Sequence, residues 1–430
     1  MTAHSTAPHK NLKTRFTHAT RSLGPGLVTG AADDDPSGIA TYSQAGAQFG
    51  YGLLWTMVLT YPLMCAIQLI SAHIGRVTGA GLARNLTRAF PEWAVILLVT
   101  ILLVANVINI GADLAAMAAA VELLIGGPTH MLTIVFAIVV AGLQVFVPYR
   151  PYARVLKWLT LSLFAYIGVL LVVHTDWPGA LRGMVWPTRM DQAAITTIVA
   201  VLGTTISPYL FFWQSAQEVE ELQDHPRQHP LIESPRAAGG QFRRMRTDTF
   251  VGMAFSNLVA LAIMIATADT LHLQGITQIN TAAQAAEALR PVAGSLAFLL
   301  FAVGIIGTGL LAIPVLAGSA AFAISETAGW GGGLQDAPSH AKRFYAIIVV
   351  ATLAGVVIDW SHTNPIKALY WSAVLNGVAA VPLMIATMIV ATRPAVMGKF
   401  TASLALKTAG WAATAVMGAA SLFFFWTVLT

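Results

Sequence analysis

The strongest constraint on this chain is a succession of long apolar runs separated by short polar stretches, where a helix needs roughly 20 apolar residues to cross hydrocarbon. Nine are uninterrupted: Leu53–Ile74, Trp93–Ile125, Leu132–Val147, Trp158–Val173, Val251–Ala268, Ser295–Ile324, Ala346–Ile358, Ala368–Val390 and Gly410–Leu429. Two more, Pro25–Phe49 and Ile195–Gln217, carry polar residues and a proline in the middle. The chain therefore reads as an all-α integral membrane protein of about eleven transmembrane helices. Composition agrees, with 56% hydrophobic and 10% charged residues, where a soluble protein carries about a quarter charged.

A net charge of +5 would fit nucleic acid if the basic residues were clustered on one surface, but they alternate with the spans. With the N-terminus inside, the inner segments hold Lys10, Lys13, Arg15 and Arg21, then Arg76, Arg84 and Arg88, then Arg150, Arg154 and Lys157. They continue with Arg227, Arg236, Arg243, Arg244 and Arg246, then Lys342 and Arg343, then Arg393, Lys399 and Lys407. Only Arg182, Arg189, Arg290 and Lys367 fall in outer loops, as the positive-inside rule requires. The partner this distribution implies is a lipid bilayer, a bacterial-type inner membrane, with the N-terminus cytoplasmic and the C-terminus outside. Met1–Ser22 is polar and basic without an apolar core, so it does not read as a cleaved signal. Cys65, the only cysteine, lies in an apolar helix, which excludes an internal disulfide or thiolate cluster.

The organisation expected is a cytoplasmic tail (1–22), a core (23–392) made of two repeats over about 23–175 and 190–392, and a loop with the eleventh helix (393–430). The polar loop Leu222–Thr247 reads as a solvated linker. The interrupted helices are the first and the sixth, corresponding members of two oppositely running five-helix halves. That is the pattern of secondary transporters with a substrate site at the bilayer midplane.

The first interruption reads Asp33-Asp34-Asp35-Pro36-Ser37-Gly38. Carboxylates in mid-membrane are costly unless they meet water, a partner or a cation, and Pro36 can end one half-helix and start another. Carbonyls and the negative dipole end of the inner half-helix would favour a cation there. Successive side chains stand about 100° apart on a helix, so the three carboxylates cannot all face one ion. Asp35, beside the break, is the expected direct ligand. Asp34 is a second candidate, and Asp33 is expected to hold water or orient the others.

The second interruption reads Gly203-Thr204-Thr205-Ile206-Ser207-Pro208-Tyr209. Pro208 lacks the amide hydrogen that would bond a carbonyl one turn earlier, so Thr204 or Thr205 can offer a backbone oxygen, with Gly203 and Pro208 as break residues. Ser207 and Tyr209 add hydroxyls. A simple proline kink, its hydroxyls bonded to their own helix, is the alternative.

Gly24-Pro25-Gly26 leading to Asp35-Pro36, then Ala45-Gly46-Ala47-Gln48-Phe49-Gly50 and Leu53-Leu54-Trp55, resembles the natural resistance-associated macrophage protein (Nramp) family of metal-ion transporters. The likeness recurs at Gly203–Pro208 and at Asp248 and Asn257. The resemblance implies the leucine-transporter-like inverted-repeat fold and the movement of divalent transition metals with protons. The family's Asp-Pro-Gly-Asn motif stands here as Asp35-Pro36-Ser37-Gly38, with glycine at the asparagine ligand position. Its Met-Pro-His motif is Ser207-Pro208-Tyr209, without the thioether or the imidazole. What remains is an oxygen-rich set that suits magnesium or manganese. Small Gly38 and Ser207 are expected to leave room for a hydration shell. The expected function is a secondary transporter or uncoupled carrier of hard divalent cations, with no cofactor other than the transported ion. By the resemblance, Asp113 lies near an acidic position linked to proton movement. None of the eleven histidines is deep in a span, so weak or absent proton coupling is expected.

Asn106 and Asn109 accompany Asp113 in the third helix. Ser372 and Asn376, one turn apart in the tenth, either face the pathway or bond a neighbouring helix. Glu122 reads as a rim residue, and Glu218, Glu220 and Glu221 as a solvated helix end. No phosphate loop, dinucleotide fingerprint or hydrolase elbow is present, which argues against an enzyme. The rival readings are a sodium-coupled transporter of a small organic solute on the same fold, a non-transporting metal sensor, and a gated channel. The triple aspartate speaks against the first, and the lack of a visible output domain against the second.

Overall fold

The computed structural model describes residues 29, 30, 32–156, 159–225, 228–359 and 364–429. The tail 1–22, the Gly24-Pro25-Gly26 motif and Lys157 lie outside these residues. No strand occurs among the described residues. Eight helical stretches there are long and apolar enough to cross a membrane: Trp55–Thr78, Glu92–Ile125, Thr129–Phe146, Gln192–Asp224, Pro235–Gln274, Arg290–Thr327, Pro365–Thr392 and Leu404–Leu429. Three further helical segments, Pro36–Phe49, Leu161–Val172 and Lys342–Asp359, stand where the sequence puts the first, fifth and ninth spans.

The helices that build the site are α1 (Pro36–Phe49), α2 (Trp55–Thr78), α3 (Glu92–Ile125), α4 (Gln192–Thr205), α5 (Pro208–Asp224), α6 (Ala238–Thr270), α7 (Ala297–Thr327) and α8 (Pro365–Thr392). The first span is broken as expected. Residues 29, 30, 32 and 33 are helical, Asp34 is a bend, and Asp35 is extended at φ −72°, ψ 170°. Pro36 opens α1, where a missing amide hydrogen costs nothing, and the Asp35 carboxylate caps it by accepting the Gly38 N–H at 2.7 Å.

The sixth span is broken between α4 and α5. Ile206 leaves the helix at φ −118°, ψ 52°, and Ser207 is extended at φ −70°, ψ 131° before Pro208 restarts it. Pro208 cannot donate to the Thr204 carbonyl. The Ser207 hydroxyl takes that place, reaching Thr204 O at 2.9 Å and Gly203 O at 2.8 Å.

Lipid is as apolar as a leucine side chain, so helices in a membrane associate through close packing of small residues. A Cβ on Gly30 would stand 2.3 Å from the Gly252 carbonyl oxygen, so the N-terminal half of the first span touches the α6 backbone. A Cβ on Gly203 would meet Ala373 O at 2.0 Å and Gly377 N at 2.4 Å, which brings α4 equally close to α8. Packing between helices therefore accounts for Gly203, whereas the sequence reads it as part of the break.

Candidate functional site

The three consecutive aspartates turn to different neighbours. Asp35 Oδ1 accepts from the Ser37 hydroxyl and the Gly38 amide, both at 2.7 Å, and its Oδ2 accepts from Asn109 Nδ2 at 3.0 Å. Asp33 Oδ2 and Asp34 Oδ1 approach one hydroxyl, that of Ser256 on α6, at 2.7 and 2.9 Å. One hydroxyl carries one proton, so it serves one of them at a time. Their other oxygens, Asp33 Oδ1 and Asp34 Oδ2, have no hydrogen-bond partner among the described residues.

Asn109 is the hub of the site. Its amide also donates to Asp113 Oδ2 at 3.2 Å, and its carbonyl accepts from Asn376 Nδ2 at 3.0 Å. Asp113 and Asn376 thus connect to Asp35 through one side chain of α3. All of these residues are at most 2% exposed. Among the described residues no Lys, Arg or His forms an ion pair with Asp33, Asp34, Asp35 or Asp113. Four buried carboxylates without a cationic side chain form a strongly cation-attracting group.

The second break faces the first. Tyr209 donates its hydroxyl to the Ala32 carbonyl at 3.2 Å, across the two interruptions. The Thr204 hydroxyl lies beside Gly38, 3.1 Å from where a Cβ there would stand, and has no hydrogen-bond partner among the described residues. The Thr205 hydroxyl is bonded within its own helix, to Val201 O at 2.8 Å. The room expected at Gly38 is taken up in this conformation, because Tyr42 Cε2 would also be 3.3 Å from such a Cβ. No three His, Cys, Asp or Glu side chains among the described residues converge as a ready ligand set. An ion here would therefore need hydroxyls, carbonyls or its own waters beside the carboxylates. One thioether is near: Met117 Sδ and Pro36 Cγ would lie 2.5 and 3.4 Å from a Cβ on Gly309 of α7.

Residues 26–427 match the profile of the family described as natural resistance-associated macrophage protein-like, Nramp. The chain belongs to the Nramp family. A relative in Yersinia pestis named divalent metal cation transporter MntH is 29% identical over 299 residues, 67% of this chain and 68% of that one. The solved manganese transporter of Eremococcus coleocola superposes with a TM-score of 0.72 at 18% identity, covering 97% of this chain and 88% of that one. Mhp1, a nucleobase-cation-symport-1 family transporter, superposes at 0.60 and 13% identity, covering 94% and 92%. This Nramp chain is accordingly a multi-pass membrane protein with the leucine-transporter-like inverted repeat and interrupted first and sixth helices.

One part of the candidate site escaped the sequence. Ser256 gave no signal, because a serine in an apolar helix usually bonds its own backbone. Asn257 beside it, which the resemblance singles out, faces α2 and accepts from Thr60 at 3.4 Å. Glu218 is also not the solvated helix end expected: it is 1% exposed and pairs with Arg76 at 2.8 Å. Glu122 is exposed, as a rim residue should be. Ser372 bonds its own helix at Leu369 O, 2.7 Å, whereas Asn376 joins the network of Asn109. At the end of the bundle that carries Lys367, a cleft of about 460 Å³ is lined by Gln44, Gln192, Thr196, Lys367 and Tyr370. Tyr370 pairs with buried Thr197 at 2.8 Å, about two turns above Thr204 along α4.

Proposed function

We propose that the protein carries hard divalent cations, Mg²⁺ with Mn²⁺ also accepted, across a bacterial inner membrane by alternating access at the two facing breaks. The observation that carries this reading is the group of four buried carboxylates with no cationic partner among the described residues, set where two broken helices meet. The names of the relatives support a divalent metal as cargo. The donor set supports a hard one: carboxylates and hydroxyls suit Mg²⁺ and Mn²⁺, and the family's thioether and imidazole positions are Ser207 and Tyr209.

In this reading Asp35 is the principal ligand, with Asp34 and the Thr204, Ser207 and Tyr209 oxygens approaching the ion or its waters around Gly38. Asp33, Thr205 and Asn376 orient them, and Asp113 belongs to a water or proton path joined to Asp35 by Asn109. The repeats over about 23–175 and 190–392 move against each other, with the N-terminus cytoplasmic and the C-terminus outside. Each broken span gives its mobile half an end that is free to tilt. The test is flux into liposomes holding purified protein, comparing Mg²⁺, Mn²⁺, Ca²⁺ and Cd²⁺ with and without a pH gradient. Uptake of Mg²⁺ and Mn²⁺ without acidification in a fixed ratio to metal is expected. A strong preference for Cd²⁺ overturns the hard-ion assignment, and no divalent flux at all overturns the transport reading.

A further inference from the structure

Below the carboxylates, toward the end that the basic residues mark as cytoplasmic, α2, α5 and α6 are held together by an ion-pair cluster centred on the buried Arg76–Glu218 pair. Arg76, 1% exposed, donates from Nε to Glu218 Oε2 at 2.8 Å and from a terminal nitrogen to Glu221 Oε2 at 2.7 Å. Its other terminal nitrogen reaches Gln228 Oε1 at 3.0 Å. Arg244 of α6 pairs with the same Glu221 oxygen. The chain after α5 lies across the end of α2, with Leu231 N–H bonded to Arg76 O and Ile232 N–H to Val77 O, both at 3.2 Å. One guanidinium thus joins α2 to α5, and through Glu221 to α6.

Between this cluster and the aspartates the helix interface is polar, yet several of its polar atoms have no hydrogen-bond partner among the described residues. Both amide atoms of Gln68, the Ser71 and Ser215 hydroxyls, Gln214 Nε2 and the Thr249 hydroxyl are buried without hydrogen-bond partners among the described residues. Gln68, Ser71 and Gly75 share one face of α2 by helical spacing. That face meets α5, since a Cβ on Gly75 would stand 2.3 Å from Ser215 O. On α5, Gln214 lies one turn before Glu218 and accepts from the Thr29 hydroxyl at 2.5 Å, which ties the N-terminal half of the first span to the seam. The stripe thus runs from the Asp33 and Asp34 oxygens down to Arg76.

Helices that only needed to pack here would bury apolar or satisfied groups, because each unpaired buried polar atom is unfavourable. Such a stripe is accounted for by a second conformation in which the same surfaces are hydrated. We propose that Arg76 is a latch that closes the cytoplasmic end of this seam between α2, α5 and α6. The proposal rests on the transport reading above. Arg76 acts as a positioning residue: it holds the helices and does not touch the ion.

The test is thiol accessibility at Ser71→Cys in a Cys65→Ala background, since Cys65 is the only native cysteine. A charged, membrane-impermeant methanethiosulfonate is applied to the inner or the outer face of vesicles. Arg76→Gln/Glu218→Gln, which neutralises the buried pair together, should speed labelling from the inner face about ten-fold or more and leave outer-face labelling unchanged. Arg76→Lys keeps the charge but loses the forked geometry, and should give a smaller acceleration of the same sidedness. It decides the matter if the double variant does not insert. Equal inner-face rates in the folded variants, or acceleration from the outer face, overturn the latch. Metal flux measured on the native chain separates the two claims: accelerated labelling without divalent flux rejects transport and keeps the latch, and flux with unchanged labelling rejects the latch alone.

Discussion

Replacing Asn109 with leucine tests whether α3 tunes the proposed ion site. The substitution keeps the volume while removing the donor to Asp35 Oδ2 at 3.0 Å, the donor to Asp113 Oδ2 at 3.2 Å and the acceptor for Asn376 at 3.0 Å. A hydrogen bond to a charged group contributes about 1.5–3 kcal/mol. If the Asp35 bond orients the carboxylate toward the ion, its loss should weaken binding by about 10- to 100-fold, the usual effect of removing a partner that orients a ligand. Asn106→Leu, one turn away, is the control. Asn106 donates to Leu316 O at 2.9 Å and to Ser319 Oγ at 2.8 Å on α7, away from the aspartates. It should lower the melting temperature in detergent with little change in affinity. Calorimetric titration of Mn²⁺ and Mg²⁺ into each folded variant provides the comparison. Unchanged affinity in Asn109→Leu, or equal losses in both variants, refutes the view that the Asp35–Asn109 bond shapes the site.

Asp35→Ala should abolish measurable cation binding in calorimetry while the protein stays folded, because it removes the carboxylate that caps α1 beside the break; retained affinity would exclude Asp35 as principal ligand. Ser207→Met should raise Cd²⁺ and Mn²⁺ flux relative to Mg²⁺, with folding checked by gel filtration, since a thioether favours softer metals and removes a hydroxyl now bonded to Gly203 O and Thr204 O. An unchanged ranking in a folded, active variant would mean that position 207 does not meet the ion. Gly203→Val should destabilise the protein by about 1–3 kcal/mol through overpacking, read as a lower melting temperature. A Cβ there stands only 2.0 Å from Ala373 O, so an unaltered melting curve would refute the tight α4–α8 contact.

The breaks were legible in the sequence because their cause is local. A proline without an amide hydrogen beside aspartates in an apolar run has few solutions, and both interruptions fall at the expected residues. The same local chemistry makes Asp35 the cap of α1, a role the sequence reading did not assign to it, since an Asp-Pro pair is a good helix start. The environment of Glu218 was not legible. A glutamate at the inner end of an apolar helix reads as solvated, and only packing against α2 gives it Arg76, 142 residues away in the chain. Gly38 misled in the opposite direction: a small residue promised space, and Thr204 and Tyr42 occupy it.

Sequence alone therefore determined what depends on neighbours along the chain: the apolar spans, the alternation of basic loops, the two interruptions and the oxygen-only character of the residues there. Tertiary structure decided which carboxylate meets which donor. Asp33 and Asp34 go to Ser256, more than 220 residues on, and Asp35 goes to Asn109, 74 residues on. The physical reason is that a helix sets only the angle between successive side chains. What each side chain meets is set by neighbouring helices, brought close enough at glycines such as Gly30 and Gly203 for backbone to touch backbone.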